Sequence, residues 1–272
     1  MFETASLWIV TDVDGTLMDH SYDLSPAKDT IRWLSELRIP VILCTSKTSS
    51  EVKVIRKELG INHPYIVENG AAIYGETKEG KPWEIILGEK YEILEEILVS
   101  LSKDINHNLV PLNKLNDIEA YDLTGLSGNA LTLMRDRHWS MPFLSPPEKF
   151  EEKLNYYCKR YQVNIFRGNR MSHLLSINSN KGKAIKKLTE FSKIKTVKII
   201  GLGDSPNDFP LLINSDYKIV ISGISGPNQK LLDSLDGEKI IISKMPNGFG
   251  WKDEVIKVVK RIYDTKKKFI NE

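Results

Sequence analysis

The sequence predicts an α/β protein, with a Rossmann-like doubly wound parallel sheet core and an inserted α+β cap domain. Short runs rich in Val and Ile, typical of buried parallel strands, are separated by helical patterns over much of the chain. The stretch from about Trp83 to Asn178 instead combines helices with an alternating hairpin pattern. Because alternating strands and helices favour a doubly wound sheet, we expect the second stretch to be an insertion into it.

Six apolar runs are predicted as strands of the core sheet. In chain order they are SLWIV, PVILCTS, YIVENG, VKIIGLG, YKIVIS and KIIIS. After the second run, Thr48 and Glu51 form a capping box, so a helix is expected to begin there, with Val52, Ile55 and Leu59 on one face. Near the end of the chain, the helical spacing of apolar residues predicts another helix, on Val255, Val258, Val259 and Ile262.

The predicted insert begins with one strong helical pattern, formed by Ile93, Leu94, Ile97, Leu98 and Leu101. A polar, loop-rich stretch follows, and then a helix that opens with proline, SPPEKFEEKLNYYCKRY. The runs QVNIFRGN and SHLLSIN are predicted as a hairpin. We therefore expect a discontinuous core at 1–83 and 179–272, and a cap at 84–178.

Composition excludes several classes of partner. Lys and Arg total 38 and Asp and Glu total 36, so the net charge of +2 favours neither nucleic acid nor a membrane surface. No apolar run approaches the length of a bilayer span, and the first ten residues make a poor signal peptide. The two cysteines, Cys44 and Cys158, do not resemble a disulfide framework or a metal site. We expect a cytoplasmic protein in a reducing compartment.

Polar residues cluster where the predicted strands end, and ligands of open α/β sheets bind at that edge. The residues, grouped by strand, are Asp12 and Asp14; Thr45, Ser46 and Lys47; Glu68 and Asn69; and Asp204, Asn207 and Asp208, with Lys181 at a predicted helix start before the fourth of these strands. Four aspartates in one dry cleft cannot all ionise without a cation, and oxygen ligands of this kind suit Mg²⁺. One carboxylate can then attack phosphorus while a second transfers protons, with Thr45 and Lys181 holding the phosphoryl oxygens.

The four motifs DVDGT, the hydroxyl of Thr45, Lys181 and GDSPND, in this order, resemble those of the haloacid dehalogenase-like phosphatases. The resemblance implies that Asp12 is the nucleophile, Asp14 the general acid and base, and Thr45 and Lys181 the phosphoryl-binding pair. It implies a Mg²⁺ site formed by the Asp12 side chain, the Asp14 carbonyl and Asp204, with Asn207 and Asp208 nearby or acting through water. The insert matches the position of that superfamily's larger α/β cap.

A narrower resemblance, to the mannosyl-3-phosphoglycerate phosphatase family, covers most of the chain. It is carried by VILCTSKTSSEV, YIVENGAAI, LTGLS, RDRHWSMPF, FRGNRMSHLL and GLGDSPNDFPLL. The chain departs from the family at Met141, where an acidic residue is common, and at 247–251, which reads Asn-Gly-Phe-Gly-Trp where Gly-Pro-Glu-Gly-Trp is common. The resemblance implies a small phosphorylated sugar-glycerate substrate, either mannosyl or glucosyl, and a compatible-solute pathway.

Such a substrate carries a carboxylate and sugar hydroxyls besides its phosphate. Arg170 and His173, with Arg135 or Arg137, are candidates for the carboxylate, because arginine binds carboxylates in a bidentate manner. Glu68, Asn69 and Asn129 are candidates for the hydroxyls, and Ser46 and Lys47 complete the predicted substrate-binding set. Structural roles compete with several of these: His173 as a structural histidine, Glu68 as a carboxylate paired with backbone, and Trp139 and Trp251 as packing residues.

Other functions fit parts of the pattern. Sucrose-phosphate phosphatase and sugar phosphomutase activities use the same core chemistry. A receiver domain also carries an aspartate that becomes phosphorylated, but such domains are much shorter and lack the large insert and GDSPND. A sugar-phosphate binding protein without turnover would not need the complete set of reactive residues. The oligomeric state is left open.

Overall fold

The computed structural model describes residues 5–19, 21–168 and 171–270. These fall into two compact units, of which the first combines Met1–Leu43 with Thr189–Glu272 and the second is the continuous segment Cys44–Leu188. The boundaries expected for core and cap, at 83/84 and 178/179, stay a prediction.

The helices and strands follow one another in mixed order. They are β1 (Leu7–Thr11), α1 (Ser25–Glu36), β2 (Val41–Leu43), α2 (Ser49–Leu59), β3 (Tyr65–Val67), β4 (Ala72–Glu76), β5 (Pro82–Ile86), α3 (Tyr91–Ile105), α4 (Asp117–Thr124), α5 (Gly128–Arg135), β6 (Met141–Phe143), α6 (Glu151–Arg160), β7 (Val163–Arg167), β8 (Ser172–Ser176), α7 (Lys181–Ser192), β9 (Lys198–Gly203), α8 (Phe209–Ile213), β10 (Tyr217–Ser222), α9 (Gln229–Ser234), β11 (Ile240–Pro246) and α10 (Asn247–Ile270).

The first unit is built on a five-stranded parallel sheet in the order β11-β10-β9-β1-β2. Every residue of β1 is buried, as expected of a central strand covered on both faces. Helix α10 contributes Val255, Val258, Val259 and Ile262, all buried, which confirms the helix predicted from their spacing. The predicted α/β fold with a central parallel sheet is confirmed.

The run YIVENG does not join this sheet, so that part of the strand prediction was wrong. Its strand β3 pairs antiparallel with β4, which pairs antiparallel with β5. The physical reason lies directly after β3, where Glu68 and Asn69 have φ angles of 49° and 58° and redirect the chain into β4. An isolated parallel bridge between Cys44 and Ile66 is what remains of the expected pairing.

The rest of the second unit packs helices α3 and α6 on an antiparallel sheet of order β6-β8-β7. The predicted hairpin is confirmed as β7 and β8, and the first predicted helix of this region as α3. Leu94, Leu98 and Leu101 of α3 are buried, whereas Ile93 is 42% exposed. At the start of α2, the reciprocal hydrogen bonds of Thr48 and Glu51 confirm the predicted capping box.

The stretch described from its polarity as loop-rich contains two short helices, α4 and α5. Helix α4 has no apolar face for a periodicity argument to detect, since Ile118 is 75% exposed while Ala120 is buried. It is instead started by a capping box between Asn116 and Glu119. That pair is visible in the sequence and is the signal that polarity concealed.

In the described ranges, none of the helices combines the length and the apolarity that crossing a bilayer requires.

Truncating the buried face of α3 should destabilise the protein. Leu101 is fully buried in a cluster with Phe143 and Leu174, so Leu101→Ala is expected to lower the free energy of unfolding by about 2–5 kcal/mol. Val99 lies on the same helix and is 50% exposed, so Val99→Ala should change it by less than about 0.5 kcal/mol. Urea denaturation of the two variants tests this, and equal effects would contradict the assignment of the buried face.

Candidate active site

Three carboxylates of the first unit lie together: those of Asp12, Asp204 and Asp208. One oxygen of each can be chosen so that all three lie within 4.8 Å of one another. Asp12 follows β1 and Asp204 follows β9, and these strands are parallel neighbours, with Thr11 opposite Leu202. The amide of Asp12 donates to the carbonyl of Leu202 at 2.9 Å, which fixes the two strand ends in register.

Backbone and hydroxyl groups hold two of these carboxylates in place. Asp204 accepts a hydrogen bond on Oδ1 from the hydroxyl of Thr16 at 2.8 Å. Asp208 is fully buried and accepts on Oδ2 from the amides of Asp204 and Ser205, both at 3.0 Å. These two amides fix the position of the Asp208 carboxylate inside the protein.

A glycine is required beside this cluster. Gly15 has a φ of +80°, and a Cβ built on it would lie 2.6 Å from Oδ2 of Asp204. Only glycine combines that backbone conformation with that close approach. The motif DVDGT therefore needs its Gly as much as its aspartates.

The donor set fits a hard divalent cation. Three carboxylates at such short range repel one another, and Asp12 and Asp208 are buried. Oxygen-only ligands on a buried edge are what Mg²⁺ takes.

Asp14 and Asn207 were predicted as additional metal ligands. The ligand predicted for Asp14 is its backbone carbonyl; its carboxylate is not one of the three clustered ones, and the residue is partly buried. Asn207 lies in the turn Pro206–Asp208, and its Oδ1 accepts from the hydroxyl of Ser205 at 2.5 Å. The roles assigned to both residues stay predictions.

The segment Thr45–Lys47 belongs to the second unit. Thr45 is fully buried, and its Oγ1 accepts from the Lys47 amide at 3.2 Å. Lys47 is 7% exposed, and its Nζ lies 3.4 Å from Oε1 of Glu51. The carbonyl of Ser46 accepts from Nη1 of Arg137 at 3.1 Å.

Lys181 is the first residue of α7 and is fully buried. Its placement depends on Gly70, where a Cβ would lie 2.3 Å from the carbonyl group of Asn180. Burying an ammonium group is costly, and most lysines avoid it. The burial therefore favours a functional lysine over a solvated one.

Glu68 is committed to other parts of the protein. Its carboxylate accepts from the amides of His138 and Trp139, at 3.1 and 3.2 Å, and from the hydroxyl of Ser140 at 2.6 Å. This is the pairing with backbone that the sequence left open as an alternative to sugar binding. Its neighbour Asn69 is 3% exposed, and the backbone N–H of Asn69 donates to the carbonyl of Thr45 at 2.9 Å.

His173 lies on β8 beside two cations. Burial lowers its pKa to about 3, and the positive charges of Arg137 and Lys181 contribute to the same effect. Its Nδ1 is buried without a hydrogen-bond partner among the described residues, as is Nε of Arg137. A neutral histidine under the influence of two positive charges is therefore a feature of the second unit.

Two other arginines, Arg135 and Arg170, were predicted as candidates for the carboxylate of the substrate. Arg135 uses Nη1 for Asp117 Oδ1 at 2.6 Å and Nη2 for the carbonyl of Leu115 at 2.8 Å, so its guanidinium is largely engaged within the protein. Arg170 lies outside the described residues. Asn129, a further candidate, is exposed in the first turn of α5.

Thr16 was not predicted as a site residue, although it belongs to the DVDGT motif. Its hydroxyl is the donor to Asp204, 188 positions away in the chain. The available signal was a hydroxyl directly after an Asp-Gly pair, which local turn formation explains equally well.

Comparison with known proteins gives the class first. The model of the haloacid dehalogenase-like hydrolases matches residues 9–121 and 134–223, and the chain belongs to this family. A glucosyl-3-phosphoglycerate/mannosyl-3-phosphoglycerate phosphatase of Persephonella marina is 31% identical over 268 residues, covering 93% of this chain and 97% of the relative. These findings confirm the predicted family and the predicted enzyme class, a phosphoric monoester hydrolase.

Solved structures agree on the fold. The SMU.1108c protein of Streptococcus mutans has a TM-score of 0.72 at 14% identity. The match covers 94% of this chain and 100% of that protein's chain. The sucrose-phosphatase of Synechocystis sp. PCC6803 has a TM-score of 0.64 at 15% identity, with coverages of 93% and 98%. At such identities the likeness concerns the fold alone.

Gly15→Ala should disrupt the carboxylate cluster. The added Cβ meets Asp204, so we expect the rate of monoester hydrolysis to fall by about a hundredfold or more. Gly237→Ala is the matched control, because Gly237 has nearly the same φ, +79°, with nothing within 4 Å of the added Cβ. Steady-state rates of the two variants check this. Similar losses would show that backbone strain alone, and not the contact with Asp204, determines the effect.

His173 should make stability depend on pH in acid. The unfolded histidine takes up a proton near pH 6.5 and the folded one near 3, so the unfolded state binds more protons between these values. His173 therefore does not reduce the free energy of unfolding above pH 6.5, and it reduces that free energy increasingly as the pH falls below 6.5. Between pH 7.5 and pH 5 the protein loses part of its free energy of unfolding, and His173→Gln should reduce this loss by up to about 2 kcal/mol. Urea denaturation at both pH values measures it, and identical losses in variant and wild type would contradict the assignment.

Proposed function

We propose that the protein is a Mg²⁺-dependent phosphatase acting on mannosyl-3-phosphoglycerate or glucosyl-3-phosphoglycerate. It releases glycosylglycerate and phosphate through an aspartyl-phosphate intermediate. The observation that carries the proposal is the cluster of Asp12, Asp204 and Asp208 at the ends of adjacent parallel strands, in a chain of the haloacid dehalogenase-like family. Such a cluster combines a carboxylate nucleophile with the groups that a phosphoryl-transfer site needs.

The reaction divides between two aspartates. A carboxylate oxygen of Asp12 attacks phosphorus, and the bond from phosphorus to the glycerate oxygen breaks. Asp14 gives its proton to that leaving oxygen, and then accepts a proton from the water that attacks the aspartyl-phosphate. The second attack releases phosphate and restores both carboxyl groups to their starting states.

Mg²⁺ would be held by the side chains of Asp12, Asp204 and Asp208. The family resemblance implies the Asp14 carbonyl as a further ligand and Asn207 as a residue nearby or acting through water. When bound, the ion offsets the negative charge of the carboxylates and of the phosphoryl oxygens. The short separations within the carboxylate cluster support this assignment.

Thr45 and Lys181 are proposed to bind the phosphoryl oxygens, with Ser46 and Lys47 next to them in the sequence. The order of the four motifs supports this assignment. Within the second unit, the complete burial of Thr45 and Lys181 supports it further, since a lysine is rarely fully buried unless its charge is paired.

The phosphoglycerate part of the substrate is supported by the relative from Persephonella marina and by the cations of the second unit. A substrate with a carboxylate besides its phosphate needs additional positive groups. Arg137 and Arg170 fit that need, and the neutral His173 near Arg137 offers a hydrogen-bonding nitrogen instead of a charge. Arg135 fits it less well because Asp117 and a carbonyl engage its guanidinium. The sugar is left open between mannosyl and glucosyl.

We further propose that the protein is cytoplasmic and that its partner is this small molecule, with neither nucleic acid nor membrane involved. Cys44 and Cys158 are both free and buried, which supports a reducing compartment. Burial also raises the pKa of the Cys158 thiol to about 11, so it stays protonated and unreactive.

Asp12→Asn should abolish turnover, because an amide cannot attack phosphorus. We expect phosphate release in the presence of Mg²⁺ to fall by at least about a thousandfold. Asp236→Asn is the control: it changes an exposed aspartate of the same unit and should keep the rate within about twofold. Chelating Mg²⁺ with EDTA should stop the wild-type enzyme, and added Mg²⁺ should restore it.

The substrate series identifies the sugar. Phosphate release is measured from mannosyl-3-phosphoglycerate, glucosyl-3-phosphoglycerate and sucrose-6-phosphate. Turnover of a phosphoglycerate supports the proposal and names the sugar. Turnover of sucrose-6-phosphate alone would overturn the proposed substrate and keep the chemistry, whereas no release from any of them would overturn both.

A further inference from the structure

We infer that Trp251 is a positioning residue for Asp12, and that it acts through the hydroxyl of Thr11. This inference rests on the proposed role of Asp12 as the nucleophile. Nε1 of Trp251 lies 3.0 Å from Oγ1 of Thr11, across 240 positions of the chain. Oγ1 of Thr11 lies 2.7 Å from the backbone carbonyl oxygen of Asp12.

The direction of this chain of hydrogen bonds is fixed by the groups themselves. An indole N–H can only donate, so the Thr11 hydroxyl is its acceptor. A carbonyl oxygen can only accept, so the single hydroxyl proton of Thr11 points to Asp12. The indole thereby selects the hydroxyl orientation in which Thr11 holds the carbonyl of the nucleophile.

The two side chains that form these hydrogen bonds are shielded from water. Trp251 and Thr11 are each fully buried. In such an environment hydrogen bonds are stronger than in water and polarise one another, and a missing partner is not replaced by solvent. The orientation is therefore set by the protein and not by exchange with water.

Asp12 is consequently fixed on both sides of its Cα. Its amide is bound to the carbonyl of Leu202, and its carbonyl is bound to Thr11. These two bonds determine the direction of the Cα–Cβ bond, and with it the place of the carboxylate beside Asp204 and Asp208. A nucleophile displaced by about 1 Å loses about a hundredfold in rate, so small rotations of this peptide matter.

The segment before Trp251 also contacts the loop that follows Asp12. A Cβ on Gly248 would lie 2.8 Å from the carbonyl oxygen of Leu17, so the first turn of α10 approaches that loop backbone to backbone. The segment 247–251, in which this chain departs from the family it resembles, thus contacts the residue before the nucleophile and the loop after it. Helix α10 therefore contacts the chain on both sides of Asp12.

Trp8 provides a matched comparison for a role in packing alone. It is also fully buried, it lies on the same strand as Thr11, and its Nε1 donates to the carbonyl of Ala5 at 2.9 Å. Trp8→Phe and Trp251→Phe therefore each remove a buried indole and its hydrogen bond to oxygen. Only the second removes a donor to Thr11.

The test measures kcat and KM for Thr11→Val, Thr11→Ser, Trp251→Phe, the double variant Thr11→Val/Trp251→Phe, and Trp8→Phe. Thr11→Val should lower kcat by about tenfold or more while KM stays within about twofold, and Thr11→Ser, which keeps the hydroxyl, should restore most of the rate. Trp251→Phe should lower kcat by a smaller factor. Because it acts through Thr11, it should lower kcat no further in the presence of Thr11→Val.

Both p-nitrophenyl phosphate and the glycosyl-phosphoglycerates serve as substrates, so that the outcomes separate. Hydrolysis of the aryl phosphate alone would overturn the proposed natural substrate, and the variants would still be compared on the aryl phosphate. Calorimetric titration of each variant with Mg²⁺ adds a measurement without turnover, in which Thr11→Val should weaken binding severalfold and Trp8→Phe should not. Equal losses of kcat and of Mg²⁺ affinity in Trp8→Phe and Trp251→Phe, or multiplied losses in the double variant, would overturn the inference.

Discussion

The mutual repulsion of Asp12, Asp204 and Asp208 is the constraint on which the first unit depends. Three carboxylates with oxygens within 4.8 Å do not stay together of their own accord, and water cannot screen them well where they are buried. The protein holds them by covalent attachment to strand ends, by amides directed at Asp208 and by the hydroxyl of Thr16. A divalent cation bound among the three carboxylates would relieve that repulsion.

The second unit shows the opposite charge balance. Lys181 is fully buried, and Arg137 lies close enough to His173 to lower its pKa together with Lys181. An unpartnered guanidinium nitrogen and an unpartnered imidazole nitrogen are buried in the same region among the described residues. The first unit therefore holds a cluster of carboxylates, and the second unit holds a group of positive charges around His173.

Local patterns carried most of what the sequence could predict. Residues adjacent in the sequence were enough to predict the aspartates after β1 and β9, the capping box of Thr48 and the hairpin of β7 and β8. The prediction failed for YIVENG, because two left-handed residues after β3 decide its pairing and nothing in their identities requires that conformation. It also failed where α4 lacks an apolar face. The bond from Trp251 to Thr11 joins residues 240 positions apart, and no local rule relates them.

The order of the strands also determines when the central sheet can form during synthesis. Strand β1 pairs with β9, whose residues Lys198–Gly203 follow it by about 190 positions. At ribosomal speeds that interval lasts roughly 10–40 s. During it, one edge of β1, a strand that is apolar except for Thr11, lacks its native neighbour β9. Nascent chains are therefore expected to expose an aggregation-prone edge until β9 has been synthesised. Chaperone engagement should concentrate on β1 until the ribosome has passed Gly203.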